Sequence, residues 1–418
     1  MTGLRFGFIT TFYPPYNFGG DGIAVQRLAR ALVKWGHRVT VVHDVDAYNV
    51  LRAQDESAPP SSSDDGVEVI GLRSRLGALA PLLTHQLGRP LVNRRRILEL
   101  LDQRQFDVIN YHNISLIGGP EILAYGSALK LYMAHDHWLV CPTNVLWRHR
   151  RELCSEQQCL RCMLHYRRPP QLYRWTGLLD RRLEHVDVFI AGSEFSRRKH
   201  YEFGFPKQME VLPYFLPAPE TTTVATNSAR PHQSPYFLFV GRLEDIKGAD
   251  DLVIAIRDYP DADLLIAGEG GSRTSLEALS SGLDRVKFLG QMTEQDLRIY
   301  YRHALALIVP SRCFEVFPLV LIEAFRESTP VIARRLGPLP ENVGLSGGGE
   351  LFANREELLA AMKRVQQEPE YRNRLGRAGY ETYISCWSDR VVIPQYLQIV
   401  RRAAEARQQI RVMNALAN

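Results

Sequence analysis

The chain has 418 residues, 45% apolar and 23% charged, with a formal net charge of +5. That length suits two domains of about 150–200 residues, each with its own core, and the ordinary composition excludes disordered, fibrous and membrane-spanning classes. The small basic excess fits a phosphorylated ligand or an anionic surface and is too small to argue for nucleic acid.

The N-terminal run reaches Pro14-Pro15 without an apolar core of signal-peptide length. The longest apolar region, His303 to Phe325, is broken by Pro310, Arg312, Glu315 and Pro318, so the expected location is cytoplasmic, with a peripheral position on the inner membrane face as the one variant. Arg5 to Thr11 is an apolar run ending in a Pro/Gly loop. Ile23, Leu28, Leu32 and Val33 follow at helical spacing, and Gly36-His37 leads into a buried strand, Arg38 to His43. A strand, helix, strand unit implies a parallel sheet. Ala53 to Gly66 reads as a polar surface loop, and further strands are expected at Val67–Leu72, Phe106–Tyr111, Lys130–Ala134 and Val188–Ala191.

A proline- and threonine-rich stretch, 213–234, supports no core and reads as a linker. After it come strands Tyr236–Val240, Asp263–Ala267, Val286–Gly290, Ala306–Val309 and Val331–Ala333, with helices beginning after Gly248, Ser272, Thr293, Pro318 and Asn354. The fold class expected is therefore α/β, with two Rossmann-like doubly wound domains, 1–212 and 235–387, facing a cleft. A helical tail, 388–418, crosses back to the first domain with Val392, Tyr396, Ile399 and Val400 on one face. Ligands in such sheets sit beyond the carboxyl ends of the strands.

Three features carry chemistry. Glu315 and Glu323 are separated by seven residues, the first in a loop and the second on a helix whose start near Pro318 suits a diphosphate. Glu323 sits in an otherwise apolar run, which argues that it faces a polar partner. Arg242 and Lys247 lie in a strand-to-helix loop, where two cations can neutralise charge on a departing diphosphate. His112 stands at the end of a buried strand, and Gly19-Gly20 opens a helix where backbone can approach a ligand closely.

These motifs, Gly241-Arg242-Leu243, Lys247-Gly248, Glu315 with Glu323, Ala267-Gly268-Glu269-Gly270, Phe288-Leu289-Gly290, Pro330-Val331-Ile332 and Gly337-Pro338-Leu339-Pro340-Glu341, resemble the family-four (group 1) retaining glycosyltransferases of GT-B architecture. Tyr13-Pro14, Gly19-Gly20 and Gly36-His37 extend the resemblance to nearly the whole chain. It implies transfer of a sugar from a nucleoside diphosphate donor to a saccharide, lipid-linked or small-molecule acceptor, in polysaccharide or glycoconjugate synthesis, with no cofactor needed for catalysis. By the same resemblance His112, Glu315, Arg242 and Lys247 are catalytic. Gly19, Gly20, Gly290, Phe317, Leu319 and Glu323 join Arg242, Lys247 and Glu315 on the donor, and His135 and Asp136 lie on the acceptor side. The family often has glycines beside the phenylalanine, whereas this chain has Val316 and Pro318, and Pro318 has no N–H. A sugar-nucleotide epimerase, or a zinc-containing binding protein with a vestigial sugar site, is the alternative.

Cys141, Cys154, Cys159 and Cys162 fall within an insert, 138–185, and end in Cys-x-x-Cys. Four thiolates at these spacings make a candidate structural zinc site, with an iron–sulfur cluster or unliganded thiols as alternatives. The insert continues through Arg167-Arg168, Arg174-Trp175 and Arg181-Arg182. Arg94-Arg95-Arg96 follows the apolar stretch Leu76 to Leu91, and apolar residues beside arginines fit an anionic membrane surface or a lipid-diphosphate acceptor. Asp44-Val-Asp46, just after the second strand, reads as a loop pair rather than a metal motif.

Overall fold

The computed structural model describes residues 3–52, 64–219 and 230–416. Short apolar runs bounded by glycine, proline and polar residues become strands buried on both faces, as a parallel sheet between helical layers requires. The first series is β1 (Arg5–Ile9), β2 (Arg38–Asp44), β3 (Glu68–Leu72), β4 (Val108–Tyr111), β5 (Leu129–Ala134), a small hairpin of β6 (Trp147–Arg148) and β7 (Glu152–Leu153), β8 (Val188–Ala191) and β9 (Met209–Val211). The second is β10 (Tyr236–Val240), β11 (Asp263–Ala267), β12 (Val286–Gly290), β13 (Leu307–Val309), β14 (Val331–Arg334) and β15 (Gly349–Phe352).

The chain forms two compact units, Met1–Tyr214 with Val392–Asn418, and Phe215–Val391. In the first the strand order is β3-β2-β1-β4-β5-β8-β9, and in the second β12-β11-β10-β13-β14-β15. Within both sheets the strands run parallel, as in Phe6 beside Val39 and Val108, and Leu238 beside Leu265 and Leu307. Each sheet is wound outward from a central strand, so the order reverses between β1 and β4 and between β10 and β13. That reversal opens a crevice at the carboxyl ends of the two strands.

The differences from the sequence reading have local causes. β9 has only Met209 buried, so it shows no apolar run. β15 follows Gly347-Gly348 and reads as loop, yet a Cβ on Gly349 would collide with the Val331 carbonyl; glycine lets this edge strand approach β14. Helices Leu339–Ser346 and Pro369–Cys386 were also not foreseen. The former begins in a Gly-Pro-Leu-Pro segment that reads as a turn. Of the expected loop 53–66, residues 53–63 lie outside the described residues. Asp64 is buried rather than on the surface, because Tyr13 and Arg30 both bond to its carboxylate. Of the expected linker, 220–229 lies outside the described residues, and Leu216 is buried in the second unit, donating to the Trp387 carbonyl at 3.0 Å.

Helix Asp389–Ala406 enters the first unit at Val392. Val392, Tyr396, Ile399 and Val400 are all buried, and the Tyr396 ring lies 6.1 Å from that of Phe6 on β1. The Tyr396 hydroxyl accepts a hydrogen bond from the Asn110 amide at 3.1 Å, both groups buried. After β2, Asp44 caps helix Val45–Leu51 by accepting from the Ala47 N–H at 2.9 Å, and Asp46 accepts from the Ser74 N–H at 2.7 Å. Both carboxylates are thus spent on local backbone. Burial raises the Asp44 carboxyl to about 7, and its second oxygen is buried with no hydrogen-bond partner among the described residues.

Two outcomes follow. Tyr396→Phe leaves the buried Asn110 amide short of an acceptor and costs about 1–3 kcal/mol in urea unfolding; an unchanged midpoint would contradict the anchoring of the tail. Asp44 has a raised folded pKa, so its contribution is fully present below about 4 and is lost as pH rises through about 7. Asp44→Asn, which keeps the capping oxygen, therefore melts higher than the parent at pH 8, and this advantage disappears near pH 4.

Candidate functional site

In the second unit the loops after β10 and β13 flank the reversal of strand order. Gly248, at φ +72°, starts helix Ala249–Arg257, and a Cβ there would strike the Pro310 carbonyl. Only glycine allows the two loops to approach this closely. They are also fastened together: the Arg312 N–H donates to the Ile246 carbonyl at 2.8 Å, and its guanidinium binds Asp250 at 2.8 Å and Asp251 at 2.5 Å.

This clamp sets Lys247 Nζ 2.7 Å from Glu315 Oε1. The Ser311 hydroxyl donates to the same oxygen at 2.7 Å. Both charged side chains are only about one-fifth exposed, at 21% and 16%. Burial opposes the ammonium, but the Glu315 carboxylate outweighs it and raises Lys247 above its ordinary value. Burial likewise opposes the carboxylate, and the Lys247 charge with bonds from Lys247 and Ser311 lowers Glu315. The pair is ionised at neutral pH. Arg242 is exposed and paired with Glu244 at 2.7 Å, close enough for its charge to act on both members of the pair.

Helix Leu319–Arg326 starts four residues beyond Glu315, after Pro318. Its first amides have no intrahelical acceptor, and its positive end favours an anion. Trp387 fixes this start: Phe317 meets the indole edge-on at 5.9 Å, and Phe325 stacks on it at 5.9 Å. Glu323 on the same helix accepts from the Tyr301 hydroxyl at 3.2 Å. Gly290 ends β12, two strands from β10, and its carbonyl accepts from the Gly268 N–H at 2.8 Å. It therefore holds the Gly268-Glu269 loop, which in turn accepts from the Leu243 N–H at 2.9 Å.

In the first unit, Gly19 and Gly20 open helix Gly20–Lys34 after β1, and His112 follows β4. The Asn113 amide reaches the Asp21 carboxylate at 3.5 Å, so these two loops meet at this unit's own reversal. His112 Nδ1 lies 2.8 Å from His135 Nε2, and His135 Nδ1 lies 2.6 Å from the Tyr214 hydroxyl. Burial, then the neighbouring His135, pushes His112 well below the ordinary imidazole value; burial brings His135 to about 4. Both rings are neutral at pH 7. His112 Nε2 is buried with no hydrogen-bond partner among the described residues. Asp136 spends both oxygens on the turn that opens the insert, accepting from the Trp138 N–H and the Asn144 amide at 2.8 Å each.

The four insert cysteines are reduced and lie within electrostatic reach of one another. Cys141 Sγ bonds the Thr143 hydroxyl at 3.3 Å, Cys154 Sγ the Glu156 carbonyl at 3.3 Å, and Cys162 Sγ accepts from the His149 N–H at 3.4 Å. Among the described residues no three thiol, imidazole or carboxylate groups are placed to hold a metal ion, so the arrangement does not fit the candidate zinc. Sequence reasoning missed Ser311, Tyr301 and Tyr214. Ser311, four residues before Glu315 in a loop, was within reach of a local reading; the two tyrosines come from distant segments and give no local signal.

Two family models match the chain: "Glycosyltransferase Family 4" over residues 18–216 and "Glycosyl transferases group 1" over residues 221–382. A glycogen synthase of Mycobacterium tuberculosis is 25% identical, the match covering 97% of this chain and 96% of that protein. Among solved structures, a sucrose-phosphate synthase from Thermosynechococcus elongatus superposes with a TM-score of 0.68 at 22% identity, covering 96% of this chain and all of that one. Anabaena HepE in complex with UDP-glucose gives a TM-score of 0.63 at 16% identity, covering 97% of this chain and 100% of that one. With two Rossmann-like parallel-sheet units and these likenesses along its length, the chain belongs to the group 1, family-four glycosyltransferases of GT-B fold.

Proposed function

We propose that this glycosyltransferase moves a hexose from a nucleoside diphosphate sugar, with retention of anomeric configuration, to a saccharide or lipid-linked acceptor in cell-surface polysaccharide or glycoconjugate synthesis. The observation that carries the reading is the ionised Lys247–Glu315 pair at the strand reversal of the second unit. UDP is the diphosphate favoured, because the HepE structure of similar fold holds UDP-glucose.

In this reading Lys247 and Arg242 take the diphosphate oxygens, aided by the start of helix Leu319–Arg326, and Glu323 accepts from the ribose hydroxyls. Glu315, with the amides of Phe317 and Leu319, addresses the sugar hydroxyls. Pro318 offers no N–H to them, so sugar selection falls more heavily on Glu315. His112 offers neutral Nε2 to the sugar. The C1–O bond to the phosphate breaks, and the departing diphosphate keeps the electron pair. The acceptor hydroxyl attacks C1 from the same face and passes its proton to the leaving phosphate oxygen. No protein nucleophile is needed; the protein stabilises charge on the leaving group and holds the reactants in place.

The test is ligand-dependent stability and turnover. UDP near 100 times its Kd is expected to raise the melting temperature by several degrees, equivalent to about 2.7 kcal/mol. Lys247→Ala and Glu323→Ala remove that shift. Lys247→Ala also lowers the rate of donor cleavage by about 100-fold or more. A full UDP shift in both variants would place the nucleotide elsewhere and sink the assignment.

A further inference from the structure

Helix Leu79–Leu87 packs the wrong way round for a soluble protein. At 100° per residue, Ala80, Pro81 and Thr84 form its buried face, while Leu79 and Leu82 point to solvent on the other side and Leu87 is exposed at the helix end. An ordinary surface helix turns its large apolar residues inward. Single exposed leucines are commonplace, but a stripe of them is not. The helix ends against the 3-10 turn Leu172–Trp175 of the insert. His85 Nε2 lies 3.1 Å from the Pro169 carbonyl, and a Cβ on Gly88 would strike the Tyr173 ring. Leu172 and Trp175, in that turn, are 50% and 58% exposed, and Leu79 is 54% exposed.

Along the two segments that carry these side chains the charges have one sign, although Glu121 and Glu99, from outside them, pair with Arg89 and Arg95. Residues 69–98 contain six arginines and no Asp, Glu or Lys, and residues 157–179 contain four arginines and again no Asp, Glu or Lys. The rest of the chain holds more acids than bases, so the positive charge is concentrated in the two segments that meet here. A protein partner of ordinary surface presents mixed charges; a bilayer rich in acidic lipid presents one. Tryptophan with leucine, rimmed by arginine, is the composition of a helix lying in a lipid interface.

We propose that the outward leucines of helix Leu79–Leu87, with Leu172 and Trp175 beside them and the acid-free arginine segments around them, dock this protein on an anionic lipid bilayer. The leucines enter the headgroup boundary and the arginines take the lipid phosphates. Docking of this kind does not depend on the donor chemistry proposed above.

Sedimentation of the full chain with vesicles of phosphatidylcholine, alone or mixed with phosphatidylglycerol, tests it. The protein is expected to pellet with the anionic vesicles and to be released as salt is raised. Leu79→Ser with Leu82→Ser lowers the partition coefficient on the order of 100-fold. Replacing the exposed Arg75, Arg96 and Arg167 by Gln lowers it on the order of 100-fold on anionic vesicles only. All five side chains face solvent, so an unchanged melting temperature separates these effects from misfolding. A parent protein that stays in the supernatant overturns the proposal, as does a leucine variant that pellets like the parent. A dimer in sedimentation velocity that the leucine variant abolishes would give the face to a second copy of the chain and overturn it too.

Discussion

The second unit is organised around one electrostatic constraint: a lysine and a glutamate are held together, mostly out of water, where the sheet changes direction. Neither charge could stay there alone, since burying an unpaired ion is strongly unfavourable. The reversal between β10 and β13 brings the two loops side by side, Gly248 removes the Cβ that would keep them apart, and Arg312 ties them together through Asp250 and Asp251. Given that clamp, Lys247 and Glu315 meet at 2.7 Å. The result is an ion pair fixed beside a helix start, the place where the proposed reaction would hold its diphosphate.

The first unit has the same topology and the opposite electrostatics. Its reversal carries imidazoles that burial keeps neutral, linked from Tyr214 through His135 to His112. A neutral ring with one nitrogen left over can bond a sugar hydroxyl without adding charge.

Much of this was legible in the sequence because glycine and charge leave local signatures. Strands such as Tyr236–Val240, Asp263–Ala267 and Val286–Gly290 stand as uninterrupted apolar runs, and Arg242, Lys247 and Glu315 lie in the loops that follow β10 and β13. What could not be read was what side chains meet across the fold. Tyr301 reaches Glu323 from 22 residues away and Tyr214 reaches His135 from 79 residues away, and neither distance leaves a pattern. The turn that Asp136 closes through Trp138 and Asn144 leaves no periodic pattern either. The cysteine spacing suggested convergent thiols, yet three of the four sulfurs, those of Cys141, Cys154 and Cys162, bond to neighbours along the insert. The inverted helix Leu79–Leu87 is a different case: the apolar stretch beside arginines suggested a lipid surface, and the burial of Ala80, Pro81 and Thr84 shows which way its leucines face.

The central claim is that the chain cleaves a nucleoside diphosphate sugar with retention. The most direct measurement is incubation with a panel of nucleotide sugars, followed by proton NMR of the first sugar released by slow hydrolysis. The account predicts that one donor is cleaved to nucleoside diphosphate and a free sugar that first appears in the anomeric configuration of the donor. Release of the opposite anomer, or cleavage of none of the donors, would contradict it.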